Sequence, residues 1–220
     1  MATDNLLERF VDVQLQEWRR LDAEKKTPAG PVIAISREPG CDGEGIARTL
    51  AKEFGLVLYD SKIAEEIAKD AQVSERMVAT LDEKLRSELD EWLDDFTGGA
   101  GLSAHQYLQS LRSVLFAIAA HGNAVILGRG GNFLLPPEKR TLGLCLVAPL
   151  EVRVRDFMRK LHLSEKDARE QIVNKERERR LWVKKLSQAD INDATNYHFV
   201  INTALVTPET IVRIVSGIIK

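Results

Sequence analysis

The sequence has little cysteine and no long apolar run. Only two of its 220 residues are cysteines, Cys41 and Cys145, and they lie far apart. They offer neither a disulfide framework nor a pair of metal ligands, and such usage fits a reducing compartment. No apolar stretch approaches the roughly 20 residues that cross a bilayer, and the N-terminus lacks the apolar core of a secretory signal. We therefore expect a cytoplasmic protein with no membrane partner.

The sequence also lacks an excess of basic charge. Its 31 lysines and arginines against 33 acidic residues give a net charge of -2. Because nucleic-acid binders are usually basic, we expect no nucleic-acid partner. The four histidines show no metal-ligand spacing, and no pattern of serine, histidine and carboxylate indicates nucleophilic hydrolysis. Any metal ligands remain unassigned.

What the sequence does contain is five short apolar runs that alternate with helical patterns. The runs typical of strands are Pro31 to Ser36, Leu56 to Tyr59, Ala124 to Leu127, Leu144 to Ala148 and Phe199 to Ile201. This alternation predicts a parallel sheet with helices on both faces. Ligands of such sheets bind beyond the carboxyl ends of the strands, so the residues that follow each strand are the candidate site.

Residues 4 to 25 form a helical pattern before the first strand, and the two prolines and the glycine from Thr27 to Pro31 predict its end. Leu6, Phe10, Val13 and Leu21 are expected on one face, with Leu7 and Trp18 widening it. A helix packed on the domain is one interpretation, and a homodimer through this N-terminal helix is the alternative.

A glycine-rich stretch follows the first strand and leads into a helix. Such a turn directs backbone N–H groups and a helix N-terminus at one point, which favours a phosphate. It is not a standard P-loop, G-x-x-x-x-G-K-[ST]. Arg37 stands at the first glycine, Asp42 at the second, Gly43 at the lysine and Glu44 at the hydroxyl residue. Arg37 can replace the missing charge, while the two acids either point away or hold Mg²⁺.

Two later strand ends and one helix carry further candidates. Tyr59, Asp60 and Ser61 follow the second strand, and a helix cap explains them as well as a ligand does. Arg129 stands between glycines after the third strand, where an anion contact is the preferred interpretation. Arg177 and Arg180 share a face of a long charged helix. This helix is either a solvated surface or a mobile lid that brings arginines to a phosphoryl group.

These motifs, in this order, resemble the cytidylate kinase family, and most closely its cytidylate kinase-like group of P-loop proteins. The resemblance covers roughly residues 31–220. The stretch IAISREPGCDGEGIARTLAKEFGLVLYD is similar to that group's strand, glycine loop, helix and Tyr-Asp strand end. Gly128-Arg129 resembles the family's Gly-Arg element, and Lys175-Glu176-Arg177 with Arg180 is similar to its lid.

The resemblance implies a P-loop kinase-like α/β fold, a three-layer sandwich with a five-stranded parallel sheet. The first strand would be central, with the strands near 124 and 56 on one side and those near 144 and 199 on the other. Residues 31–220 would form this domain, with an inserted helical region at about 62–122 and a lid at about 163–197. Residues 1–30 would be an N-terminal helical extension.

The resemblance further implies phosphoryl transfer from ATP, with Mg²⁺, to CMP or dCMP. Arg37, Arg177 and Arg180 would be catalytic, and Tyr59, Asp60, Ser61 and Arg129 would bind the acceptor. The donor phosphates would contact the loop residues Gly40, Cys41, Asp42, Gly43, Glu44 and Gly45. A catalytically weak regulatory module and a kinase for another small acceptor are the alternatives. A dinucleotide-binding oxidoreductase is disfavoured because the glycines do not follow the order G-x-G-x-x-G.

Overall fold

The computed structural model describes residues 2–23, 30–94 and 102–219. The predicted end of the first helix near Thr27 and the glycines at 98, 99 and 101 lie outside these residues. Within them, the five strands are β1 (Val32–Arg37), β2 (Val57–Tyr59), β3 (Ala124–Leu127), β4 (Leu142–Val147) and β5 (Phe199–Asn202). The helices are α1 (Ala2–Ala23), α2 (Gly43–Phe54), α3 (Ser61–Lys69), α4 (Ala71–Val78), α5 (Glu83–Asp94), α6 (Leu102–His121), α7 (Gly131–Leu134), α8 (Leu150–Leu161), α9 (Glu165–Ser187) and α10 (Pro208–Ser216).

The five strands form one sheet in the order β2-β3-β1-β4-β5, and every neighbouring pair is parallel. Val32 pairs with Ala124 on one side of β1, and Ile33 pairs with Leu142 on the other. The central position of β1 and the side taken by each other strand are as predicted. All five carboxyl ends therefore lie at one edge, where the loop after β1 stands between the ends of β3 and β4.

Apolar side chains cover both faces of this sheet. On one face Ile33 and Ile35 of β1 pack in a core with Leu50 of α2 and Ile211 of α10. On the other face the long helix α6 supplies the largest share of the core, with residues that include Leu108, Leu111, Leu115 and Ile118. All four are at most 3% exposed, because their spacing of three and four residues sets them on one face of the helix. The architecture is thus the expected three-layer sandwich.

Helix α1 packs on the second face through only some of the predicted residues, since Trp18 is buried and Leu7 and Phe10 pack against the core. Leu6 and Val13 were expected to be buried, but their exposed fractions are 66% and 59%. The buried positions are Val11, Leu15 and Trp18, because their spacing of four and three residues sets them on one stripe of the helix. The Trp18 indole stacks on the His121 imidazole at the end of α6, with the ring centroids 4.1 Å apart.

Helices α8 and α9 form an antiparallel pair beyond the carboxyl edge of the sheet. Val154 of α8 and Ala168 and Ile172 of α9 make a small apolar cluster of their own between them. Farther along α9, Val183 and Leu186 are buried again, with Leu186 in the core that contains α6. The two ends of α9 thus pack in different apolar clusters, and its middle turns cross the loop after β1. In the described part of the chain, no helix is long and apolar enough to cross a membrane.

Candidate phosphate-binding site

The loop after β1 is held closely against α8. Gly40 has φ of 88°, and a Cβ there would lie 2.7 Å from the Arg153 carbonyl oxygen. Only glycine combines this backbone conformation with such a close approach. Glu38 fixes the loop from the other side, because its carboxylate accepts a hydrogen bond from the Ala148 N–H at 2.9 Å and lies 3.3 Å from Arg153 Nε. These contacts fix the loop at the start of α2.

The Arg37 side chain extends across this loop through space that two glycines leave free. A Cβ on Gly43 would stand 2.7 Å from Arg37 Cγ, and a Cβ on Gly128 would overlap the Arg37 guanidinium. Gly43 occupies the position of the P-loop lysine, and Arg37 that of the first glycine. The two departures from the standard motif are therefore connected in space. The Arg37 side chain passes close to Gly43, through space that a side chain at position 43 would need.

The Arg37 guanidinium is buried among other cations. Burial lowers the pKa of Arg37 to about 10, and the positive charge of Arg179 acts in the same direction. The side chain stays charged at neutral pH, because that pKa lies well above 7. Its Nη2 reaches Ser61 Oγ at 3.5 Å. A desolvated cation with so little anionic compensation favours an incoming anion such as a phosphate.

The acidic residues of the loop are already paired with cations. Asp42 lies 2.7 Å from the Lys160 ammonium on α8, and Lys160 also pairs with Asp156 at 3.1 Å. Glu44 pairs with Arg48 one turn along α2. Both acids line the cavity beside the loop, and each already has a cationic partner.

The residues present do not form a resident Mg²⁺ site. Among the described residues, no group of three or more acidic, histidine or cysteine side chains could hold a metal ion. Mg²⁺ is usually bound by one or two carboxylates together with substrate phosphates, and the loop carboxylates that could serve have ammonium or guanidinium partners instead.

Cys41 is at the loop but turns away from the candidate site. Its thiol donates to the Glu38 carbonyl at 3.0 Å and is buried. Burial raises the pKa of Cys41 to about 11, with the Glu38 carboxylate adding to the shift. The thiol is therefore protonated at neutral pH, and the residue serves loop packing.

The residues predicted after β2 divide between the core and the site. Tyr59 is 1% exposed, and its hydroxyl faces Gln14 of α1 at 3.4 Å, so its side chain is kept apart from the other candidates. Asp60 caps α3 by accepting from the N–H groups of Lys62 and Ile63 at 2.8 and 2.9 Å. Ser61 presents its hydroxyl to Arg37 and its carbonyl to Arg129.

Arg129 stands in a left-handed turn directly after β3, with φ of 48°. Its Nε donates to the Ser61 carbonyl at 3.0 Å, and its Nη2 pairs with Glu65 of α3. The guanidinium lies 5.9 Å from the centre of the Trp182 ring on α9. The structure thus brings Arg129 together with Arg37 and Ser61, as the motif order predicted.

On α9 the arginine at the site is Arg179, and not Arg177 or Arg180. Arg179 Nη1 donates to the Arg37 carbonyl at 2.8 Å, and burial lowers the pKa of Arg179. Arg177 is exposed, because two residues of helix turn it about 200° away from Arg179. Arg180 is exposed and lines another cavity, which Arg37, Glu38 and Arg179 also line.

A signal for Arg179 was available in the sequence. Trp182 and Leu186 mark the inward stripe of α9, and the same stripe continues back through Arg179 to Lys175 at helical spacing. The spacing among the basic residues alone groups Arg177 with Arg180, whereas the apolar positions group Arg179 with Lys175.

Two adjoining cavities meet at these residues. The loop cavity, of about 500 Å³, lies between the loop after β1 and α8, and Gly40, Asp42, Gly43, Glu44 and Lys160 are among its lining residues. The arginine cavity, of about 340 Å³, is lined by Arg37, Ser61, Arg129, Lys175, Glu178, Arg179 and Trp182. Four of those seven are cations and one is an acid. Because Arg37, Ser61, Lys175 and Arg179 line both cavities, an anion held in one lies beside an anion held in the other.

A third cavity, of about 510 Å³, lies between the sheet and α9. Ser36 and Cys145 form part of its floor, and Arg179 and Arg180 part of its roof. Arg153 on its wall is 6% exposed and contacts the Ala148 carbonyl, Glu38 and Glu176.

Comparison with known proteins gives relatives of two kinds. A cytidylate kinase of Sulfolobus acidocaldarius is 32% identical over 86% of this chain and 93% of its own length. A cytidylate kinase of Ignicoccus hospitalis is 27% identical over 83% of this chain and 95% of its own. A uronate isomerase of Corynebacterium glutamicum is 37% identical over 55% of this chain, but the chain spans only 23% of that relative's length.

A solved structure and a family model complete the comparison. The crystal structure of an uncharacterized protein from Eubacterium ventriosum has the same fold, with a TM-score of 0.65 at 18% identity over 85% of this chain and 98% of that one. Residues 32–205 match the model of the cytidylate kinase-like family. With its parallel sheet centred on β1 and its cations gathered at the carboxyl edge, the chain belongs to the cytidylate kinase-like family.

Proposed function

We propose that this protein transfers the γ-phosphoryl group of ATP to a nucleoside monophosphate, with CMP or dCMP as the acceptor. The observation that carries the proposal is the arginine cavity, where Arg37, Arg129, Lys175 and Arg179 converge and Glu178 is the one acid among the seven lining residues. Phosphoryl transfer depends on positioning and charge neutralisation more than on a protein nucleophile. The cytosine base is taken from the names of the relatives.

In this proposal the loop cavity holds the donor. The N–H groups at the start of α2, together with Arg37 and Lys160, would face the triphosphate. Arg37 would take the part of the P-loop lysine. Mg²⁺ would arrive with the nucleotide and be held through its phosphates, because the loop carboxylates already have cationic partners.

The acceptor would enter from the side of α3 and Arg129. An oxygen of its phosphate would bond to the γ-phosphorus as the bond from that phosphorus to the β–γ bridging oxygen breaks, giving ADP and a nucleoside diphosphate. The acceptor phosphate is already ionised at neutral pH, so the step needs no protein base. Arg179 lies between the two cavities and would neutralise the charge shared by donor and acceptor.

A regulatory nucleotide-binding module is the second candidate function. The observation that favours it is the loop itself, which has lost the lysine and carries Asp42 in a left-handed conformation beside Gly45. Such a loop can bind a nucleotide without aligning it for transfer.

A coupled assay that detects ADP tests the proposal and separates the two candidates. With ATP and Mg²⁺ present, we expect turnover with CMP or dCMP to exceed that with AMP, GMP and UMP. Binding of nucleotides must be measured in parallel by calorimetry. Binding without turnover on any monophosphate would reject the kinase and favour the regulatory module. Turnover on another small acceptor alone would keep the chemistry and reject the substrate.

A further inference from the structure

The arginine proposed to receive the acceptor phosphate already has an anionic partner within the chain. Arg129 Nη2 pairs with Glu65, and Arg129 Nε donates to the Ser61 carbonyl at 3.0 Å. Among the described residues only Nη1 of this guanidinium has no partner. A phosphate binds arginine best through two parallel N–H groups. While the pair with Glu65 persists, one N–H group of Nη2 is engaged and the carboxylate already offsets the positive charge that a phosphate would meet.

The pair lies where a charge interaction is effective. The exposed fractions of the Arg129 and Glu65 side chains are 29% and 26%, and burial lowers the pKa of Arg129. The Trp182 ring screens the guanidinium on the side of α9. Salt and water weaken such a partly buried pair less than they weaken an exposed one.

Glu65 also has a second cation to which it can turn. Its other carboxylate oxygen lies 2.6 Å from the Lys69 ammonium, one helical turn along α3. Release of Arg129 therefore does not leave Glu65 as an uncompensated charge. The arrangement has two states, one with Glu65 shared between both cations and one with Glu65 on Lys69 alone.

We infer that Glu65 is a resident competitor for the acceptor phosphate and sets the affinity of the acceptor site. A phosphate that reaches Arg129 displaces Glu65, which remains on Lys69. The inference rests on the proposed function in one respect, that Arg129 is the contact of the acceptor phosphate. It assigns Glu65 a role in specificity, because an acceptor with little negative charge cannot displace a carboxylate.

Calorimetric titration with CMP and, separately, with inorganic phosphate tests this competition. We expect Glu65→Gln to bind both probes about tenfold more tightly, because a neutral amide competes less well for the guanidinium. Glu66→Gln is the matched control, since Glu66 stands on the same helix and pairs with Lys62 at 3.9 Å. It should leave both affinities unchanged. Lys69→Ala should weaken binding, because Glu65 then has only Arg129.

The double variant Glu65→Gln with Arg129→Ala distinguishes competition from a structural role. The gain from Glu65→Gln must vanish when Arg129 is absent, because the coupling runs through that guanidinium. Unchanged or weaker binding of both probes by Glu65→Gln would overturn the inference. If Glu65→Gln folds poorly, Lys69→Ala takes its place as the test, and unweakened binding by that variant would overturn the inference. Tighter phosphate binding without any CMP binding would support the inference and reject the proposed function. If CMP binds through Arg129 and Glu65→Gln has no effect, the proposed function stands and the inference fails.

Discussion

At the scale of single residues, Arg37 and Gly43 form one unit. The standard motif has a lysine at position 43, and in this chain the Arg37 side chain passes close to Gly43 at that position. Because Arg37 Cγ lies where a Cβ on Gly43 would approach to 2.7 Å, neither residue can change alone without a consequence for the other. The pair is therefore suited to a double-mutant cycle.

We expect Arg37→Ala to weaken ATP binding about tenfold or more, since hydrogen bonds to charged groups contribute about 1.5–3 kcal/mol. Gly43→Lys alone should also weaken it, because the new side chain meets Arg37. Gly43→Lys combined with Arg37→Gly should recover part of the affinity. Isothermal titration with ATP gives these values, and Lys52→Ala, at an exposed position near the end of α2, is the control. Purely additive losses in the double variant would contradict this connection between Arg37 and Gly43.

The candidate site was only partly predictable at this scale. Arg37, Ser61 and Arg129 could be found because each follows a strand, and strand ends converge in any parallel sheet. Tyr59 follows the same rule, but strand side chains alternate between faces, and its face is the one that α1 covers. The partners Glu65 and Lys160 could not be found, because they depend on how α3 and α8 are oriented against the loop.

At the scale of elements, α9 joins the three cavities. Its carboxylate Glu176 pairs with the buried Arg153 of α8, and its Arg179 reaches the carbonyl of Arg37. Arg179 lines all three cavities. The helix is thus held over the loop by polar contacts in its middle and by apolar contacts near both ends.

Kinetics of α9 variants compare Arg177, which the spacing of basic residues suggests, with Arg179, which the structure brings to the site. Arg179→Ala should reduce kcat for CMP by roughly a thousandfold, the lower range for a transition-state arginine. Arg177→Ala should change kcat little, because that side chain is exposed and lines none of the three cavities. Steady-state rates at saturating ATP supply the comparison. A large loss in Arg177→Ala with normal kcat in Arg179→Ala would reverse this assignment.

At the scale of the whole molecule, α1 is part of the fold through its contacts with the helices on one face of the sheet. Trp18 is 4% exposed, and Val11 and Leu15 are buried with it. A homodimer through α1 stays a prediction, and it would have to use the outer residues Leu6 and Val13. The stripe that packs inward is already in contact with its own chain.

Denaturant unfolding measures how much this packing stabilises the protein. Trp18→Ala should lower the free energy of unfolding by about 3–5 kcal/mol, because it removes a buried ring that stacks on His121. Val13→Ala, on the exposed side of the same helix, should change it by less than about 0.5 kcal/mol. Equal effects of the two substitutions would mean that α1 does not pack through Trp18 in solution.

The strand order also constrains when the sheet can assemble. β1 and β2 come first along the chain but do not touch, and both pair with β3, in which Ala124 faces Val32 and Val57. During synthesis no strand pairing can form until β3 has left the ribosome. Until then the apolar strand from Val32 to Ile35 has no partner in the sheet. The strand pairings are therefore distant in sequence, which slows assembly of the sheet and leaves an apolar strand unpaired in the meantime. The emerging chain thus offers a segment of the kind that chaperones shield.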